Sequence, residues 1–213
     1  MHLCGADVKN SRVEIDLTCT MSTKQFERAI AFFDAYNSND PHREKAEDRD
    51  IPKEFLYAIR MTGKLNHYQP DAPEHVQLAA RCQHIGRWEI ARSSFPQDRK
   101  GYLLWRTQLA QHHASIAEKI LKECEYDSET IEKVKALLQK KQLRQNPDTQ
   151  LLEDVICLVF IEFYLEEFSH QHDEEKIVDI LKKTLKKMSA RAIEEALKIP
   201  VTDPVKKLIK KAS

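Results

Sequence analysis

The stretch "TQLLEDVICLVFIEFYLEEF", Thr149 to Phe168, decides the fold. Its centre, Val155 to Phe160, is an unbroken apolar run that in isolation would pass for a buried strand. The surroundings keep a different period. Leu151, Asp154, Val155, Leu158 and Glu162 recur at steps of three and four, which lines up one face of a helix over a length no ordinary strand reaches. A helix apolar almost all the way round belongs at the centre of a bundle.

The flanking sequence agrees. Ser22 and Gln25 read as a capping box for a helix that turns Phe26, Ile30 and Phe33 inward. The polar "YNSNDPHREKAEDRD" then reads as a linker, and Pro52 suits the first turn of a helix carrying Phe55, Leu56 and Ile59. A helix from Pro73 stops at Gly86, and Pro96 opens a long one reaching Cys124. Asp127, Asp148, Asp173, Ser189 and Asp203 each open a further helix. Four glycines in 213 residues leave little for a turn-rich sheet. No strand is expected. The class is all-α, a single-domain multi-helix bundle over residues 21–213, preceded by a poorly ordered extension over 1–20, with Met21 as an alternative start of translation.

Charge and cysteine content exclude several classes. Lysine plus arginine equals aspartate plus glutamate at 34 each, so no global field draws the chain to nucleic acid or to a membrane surface. Five dispersed cysteines without a C-x-x-C pair make neither a disulfide framework nor a zinc ribbon, which fits a reducing cytoplasm. The opening residues lack the order of a signal peptide, and no apolar run has the length of a membrane span.

Helical spacing singles out polar residues on inner faces. Val76, Ala80, Gln83 and His84 share one side of their helix. Tyr102, Arg106, Leu109, His113, Ile116 and Ile120 form a stripe on the long helix, with His112 turned away by about 100°. Asp154, on the central helix, needs a cation or hydrogen-bond donors to be tolerated there. Either a metal shared with His84 and His113 or an arginine such as Arg106 would serve. Arginines also concentrate between Arg81 and Arg106, beside both tryptophans. Guanidinium groups fork onto phosphate and stack on rings, so this window reads equally as an anion site or as an arginine–carboxylate lock. Ser93 and Ser94 read first as helix caps, with donation to an oxyanion as the alternative.

"QHIGRWEIARSS", Gln83 to Ser94, with "LEDV", Leu152 to Val155, resembles an uncharacterised family of small helical proteins carrying a domain of unknown function, over roughly Phe26 to Pro200. A second similarity is to the HD superfamily of metal-dependent phosphohydrolases. "AARCQHIG" resembles that superfamily's A-A-L-L-H-D-I-G element, "HHASIAEKIL" its H-x-x-x-A-x-x-L element, and Asp154 matches its distal aspartate. Tyr57 stands where its first histidine belongs, and Gln83-His84 replace its His-Asp pair. The resemblance implies an HD-like fold in which His84, His113 and Asp154 hold a divalent Mn, Fe, Zn or Mg ion and activate water. Arg87, Arg92, Arg106 and Ser94 would then bind phosphate, with Trp88, Tyr102 and Trp105 as walls. The implied partner is a phosphorylated small molecule or nucleotide, hydrolysed through the ion. The alternative is a degenerate, non-catalytic site that senses a nucleotide or binds RNA phosphates; a nucleic-acid partner is the less favoured of the two.

Overall fold

The structure is a computed structural model that describes residues 9–46 and 48–212, with side chains from Thr23 to Lys211. It is all-α apart from one small hairpin. In chain order the elements are α1 (Lys9–Asn37), β1 (Arg43–Ala46), β2 (Arg49–Pro52), α2 (Lys53–Tyr68), α3 (Glu74–Arg81), α4 (Arg99–Glu123), α5 (Ser128–Leu138), α6 (Pro147–Phe163), α7 (Leu165–His170), α8 (Glu174–Leu185), α9 (Ala190–Ala196) and α10 (Asp203–Ala212). Short 3₁₀ turns at Arg87–Glu89 and Arg92–Ser94 cross from α3 to α4.

The disputed apolar run is helical. α6 packs against α2, α3, α5, α7 and α9, and Val155, Leu158, Val159 and Ile161 are buried. Asn146 caps it by accepting from the backbone N–H groups of Asp148 and Thr149, and Pro147 fills the first position, where a missing N–H costs nothing. The cap is therefore two residues earlier than Asp148. Asp127, Asp173 and Ser189 cap α5, α8 and α9 as their spacing predicts.

Local structure departs from expectation at the first helix, in the linker and at the start of α4. α1 runs unbroken through Ser22, and Gln25, instead of closing a capping box, donates to the Cys124 carbonyl at 3.0 Å. Of the expected extension over 1–20, residues 1–8 lie outside the described residues, and residues 9–20 belong to α1. The expected linker contains the antiparallel hairpin β1–β2, paired from Arg43↔Pro52 to Ala46↔Arg49, with Asp48 at φ +61° in its turn. Five of its eight strand residues are charged and none is buried, so apolar alternation could not announce it. Arg60 secures it by pairing with Glu44. Finally, α4 starts at Arg99 with Asp98 as its cap, accepting from Gly101 N at 2.7 Å, so neither Ser93 nor Ser94 performs that job.

One buried acid shapes the rest. Asp40, at 2 % exposure, accepts from His42 N at 2.9 Å and Glu54 N at 3.0 Å. It thereby satisfies an orphan donor in the first turn of α2, whose own N-cap, Pro52, has no side-chain acceptor. That contact pins Glu54 beside the end of α3.

Candidate functional site

Sequence and backbone bring three chain segments to one cleft. α3 ends at Arg81, and Gly86 follows at φ +67°. A Cβ at Gly86 would lie 2.5 Å from Ile116 Cδ1, so both the dihedral and the close approach of α4 demand glycine. This turn sends Arg87 back toward His84: Arg87 N donates to His84 O at 3.0 Å, and Arg87 NH1 stands 3.5 Å from His84 Nε2. The second segment is α4, which supplies Arg106 and His113. The third is the end of α5. There Lys140 takes φ +53° and, with Lys141, closes the helix through N–H bonds to Leu137 O and Ala136 O. Glycine usually holds that left-handed position, and a side chain there costs about 1 kcal/mol. Lys140 carries that cost while reaching into the cleft and pairing with Glu153 of α6.

The cleft has two lobes of about 370 and 320 Å³ that share Gln83, His84, Arg87, Arg106 and Lys140. Among the described residues, four cationic ones line the first lobe (Arg87, Arg106, Lys140 and Lys141), and no acid does. The second lobe adds Lys53 and Lys187, the acids Glu54 and Glu153, and an aromatic wall of Tyr57, Phe160 and Tyr164. Glu153 is shared between Lys140 and Lys187, whereas half-buried Arg106 makes no hydrogen bond or ion pair among the described residues. Gln83, 5 % exposed, also has a buried amide oxygen without a partner.

Burial and this excess of positive charge set the protonation of the site. Burial, reinforced by Arg87, Arg106 and Lys140, holds His84 well below the ordinary imidazole range. Burial does the same for His113, with His84 adding to it. Both rings are neutral at physiological pH. Glu54 is pushed up to about 7 by burial, against the opposing pull of Arg87. Its carboxylate lies 3.3 Å from His84 Nδ1 and 3.6 Å from Arg87 Nε. Burial lowers the Lys140 ammonium, which Glu153 partly offsets. For Glu153 burial works upward, and Lys140 with Lys187 prevails to hold it below the usual carboxylate range.

The residues singled out from the sequence divide into two groups. His84, His113, Arg87 and Arg106 converge on the cleft, with the two imidazole centroids 5.9 Å apart. Asp154 does not join them. It lies in a separate depression with Tyr68, Asp148 and Arg191. There it accepts from Ser189 N at 2.8 Å, Ser189 Oγ at 2.5 Å, Gln150 Nε2 at 2.9 Å and Tyr68 OH at 3.4 Å. Its buried charge is met by donors that fasten α9 to α6. His113, for its part, spends Nδ1 on Ile85 O at 2.6 Å. The His84–His113–Asp154 metal set is therefore not assembled, and among the described residues no three His, Cys, Asp or Glu side chains are grouped to hold an ion.

The expected walls also shift. Arg92 is spent on Phe95 O and Asp98 O, and Ser94 is exposed. Tyr102 is 45 % exposed and lies against Trp105, away from both lobes. Trp105 donates to Ile90 O at 2.9 Å and carries Arg87 over its ring at 4.9 Å, which aims the guanidinium. Trp88 packs on Tyr36 and shares a neighbouring depression with Arg43, Lys53, Arg92 and Trp105. Sequence reasoning missed Glu54, Lys140 and Lys187. Glu54 was within reach, because Glu54, Tyr57, Met61, Leu65 and Tyr68 keep a helical period along the buried face of α2. Nothing local distinguishes Lys140 from the lysines around it.

A family model described as Domain of unknown function (DUF4202) matches residues 27–209. No curated protein and no solved structure shows significant similarity to the chain.

Proposed function

The chain belongs to that family of helical domains, whose matched segment carries every residue of the cleft, and we propose that the cleft binds a phosphorylated small molecule or nucleotide. The observation that carries this reading is the first lobe: Arg87, Arg106, Lys140 and Lys141 with no acid among them, in a molecule of zero formal net charge. Lys140 has Glu153 and Arg87 has Glu54 as partial counter-charges, but cations still outnumber acids around the cleft, and such an excess costs folding energy that an arriving anion offsets. Arg87 and Arg106 supply planar forks for phosphate oxygens, and Lys140 supplies a point charge. Gln83 offers a hydrogen-bonding group, and Tyr57, Phe160 and Tyr164 offer an apolar face to the remainder of the ligand. The combined lobes suit a molecule of nucleotide size.

The similarity to HD phosphohydrolases supports a phosphate ligand only in outline. The residues here do not fit that superfamily's ion, because Asp154 is committed to Ser189, so no step is derived through a metal. Calorimetric titration with phosphorylated compounds and their dephosphorylated counterparts tests the reading. Binding confined to the phosphorylated set is expected; equal binding of both sets, or of neither, rejects it. A second reading, RNA phosphates on the same arginines, draws support from the adjoining depression with Arg43, Arg92 and two tryptophans. It requires affinity for single-stranded RNA that falls steeply with salt.

A further inference from the structure

We propose that His84 is a phosphoryl-accepting nucleophile, with Glu54 as its positioning partner. Its Nε2 would attack phosphorus in an ester held by Arg87, Arg106 and Lys140. The inference rests on the phosphate reading of the cleft.

The geometry around the ring supports it. His84 opens on both lobes, and its side chain keeps 20 % of its surface accessible. Tyr57 stacks on it with centroids 4.1 Å apart and planes 12° from parallel, which fixes the ring plane. Nδ1 faces the Glu54 carboxylate at 3.3 Å, and Nε2 faces Arg87 NH1 at 3.5 Å. Arg87 can only donate to Nε2, so the ring proton sits on Nδ1, beside the Glu54 carboxylate, and an ester that draws the guanidinium onto its own oxygens frees the Nε2 lone pair for attack. A carboxylate–imidazole pair of this kind holds a ring in one tautomer and steadies the positive charge it acquires on attack. Burial keeps the ring unprotonated and hence nucleophilic.

Other nucleophilic atoms on the cleft wall are less ready, and burial raises the Tyr57 and Tyr164 hydroxyls. Burial pushes the Cys157 thiol up to about 12. Thr107 and Thr184 donate their hydroxyl protons to Leu103 O and Ile180 O within their helices, and Lys140 is paired with Glu153. His113 is the deeper imidazole, 4 % exposed and tied to Ile85 O.

The reaction balances with water alone as co-reactant. As the Nε2–P bond forms, the ester P–O bond breaks, and its electron pair departs with the alcohol oxygen, which takes a proton from water. The hydroxide so produced adds to phosphorus, the N–P pair returns to Nε2, and inorganic phosphate leaves. The sum is one ester plus one water giving one alcohol plus one phosphate.

Paired titrations of the whole protein with sulfate and with orthovanadate test this without knowledge of the natural ester. Both are tetrahedral oxyanions, but only vanadium accepts a fifth ligand from a ring nitrogen and so imitates the transition state. Vanadate is expected to bind at least about 100-fold more tightly than sulfate. His84→Gln is expected to erase that preference while sulfate still binds. Sulfate binding with no vanadate preference in the native protein overturns the nucleophile and leaves the phosphate reading standing. Failure of both anions to bind overturns the phosphate reading and the inference with it. A vanadate preference that survives His84→Gln overturns the assignment to this residue.

Discussion

Arg106→Met separates a binding cation from a structural one, because the two roles predict opposite signs. Among the described residues Arg106 makes no hydrogen bond or ion pair; it shares a lobe with Arg87, Lys140 and Lys141, and the acid it acts on, Glu153, is already paired with Lys140 and Lys187. Two unit charges on the order of 8 Å apart, at an effective dielectric of about 20–40, repel by about 1–2 kcal/mol before salt screening. Methionine keeps the apolar stem and removes the charge. A gain of about 1 kcal/mol, or roughly 2–4 °C in Tm for a chain of this size, is therefore expected without added anion. With anion the order reverses. A charge-assisted hydrogen bond is worth about 1.5–3 kcal/mol, so affinity should fall by roughly 10- to 150-fold. At a sulfate concentration of about 100 times the native Kd, ligand stabilisation is about 2.7 kcal/mol. A tenfold weaker variant keeps about 1.4 kcal/mol of that, and a hundredfold weaker one about 0.4. Chemical denaturation of both proteins in chloride and in sulfate, at matched ionic strength, measures all four stabilities. The general stabilising effect of sulfate cancels in the difference. A variant less stable than the native protein in chloride, with its sulfate increment intact, would refute the reasoning.

Two further substitutions probe the surroundings. Glu54 ionises near 7 in the folded protein and near 4.5 when unfolded. Between those values the unfolded state holds fewer protons, so stability falls as pH rises, by about 3 kcal/mol once both are passed. Glu54→Gln should recover that amount at pH 8 and nothing near pH 4, which urea unfolding at the two values will show; an equal effect at both would exclude ionisation as the cause. Asp154→Ala should cost about 3–5 kcal/mol by stripping the donors of Ser189 and Gln150 of their shared acceptor. Sulfate affinity should be unchanged, and a large loss of affinity in the folded variant would return Asp154 to the cleft.

What could be read from the sequence and what could not divides along a physical line. Burial leaves a periodic trace, so the central place of α6, the inward turn of His113 and the caps at Asp127, Asp173 and Ser189 were all visible in spacing alone. Partnership leaves no such trace. Asp154 is buried on the central helix, as its stripe requires, yet its donors come from Ser189 and Gln150 rather than from a metal or an arginine. Spacing states that a buried acid must be met, and it is silent on what meets it. Tyr102 marks the limit of periodicity itself: α4 buries its stripe from Leu109 onward, but in its first turns the buried side is that of Gly101 and Trp105, leaving Tyr102, Leu103 and Leu104 exposed. The hairpin escaped because the side-chain tie that joins it to α2, Glu44 with Arg60, is polar and spans elements, so it leaves no apolar pattern in the strands.

The same distinction explains why the cleft's charge was only half visible. The arginine-dense window from Arg81 to Arg106 suggested one basic cluster, but the fold sorts it by partner. Arg81 is closed by both oxygens of Asp34 at 2.6 Å and belongs to the scaffold. Arg92 locks its own loop, and Arg87 and Arg106 are left for the cleft. Lys140 comes from more than thirty residues downstream and replaces what the loop gives up. A residue that carries backbone strain at φ +53° in order to lower a lysine among arginines is hard to explain by stability, since glycine would close α5 better there. A departure from the best-folding choice at this cleft, and one that adds positive charge, is what the proposed anion site leads one to expect.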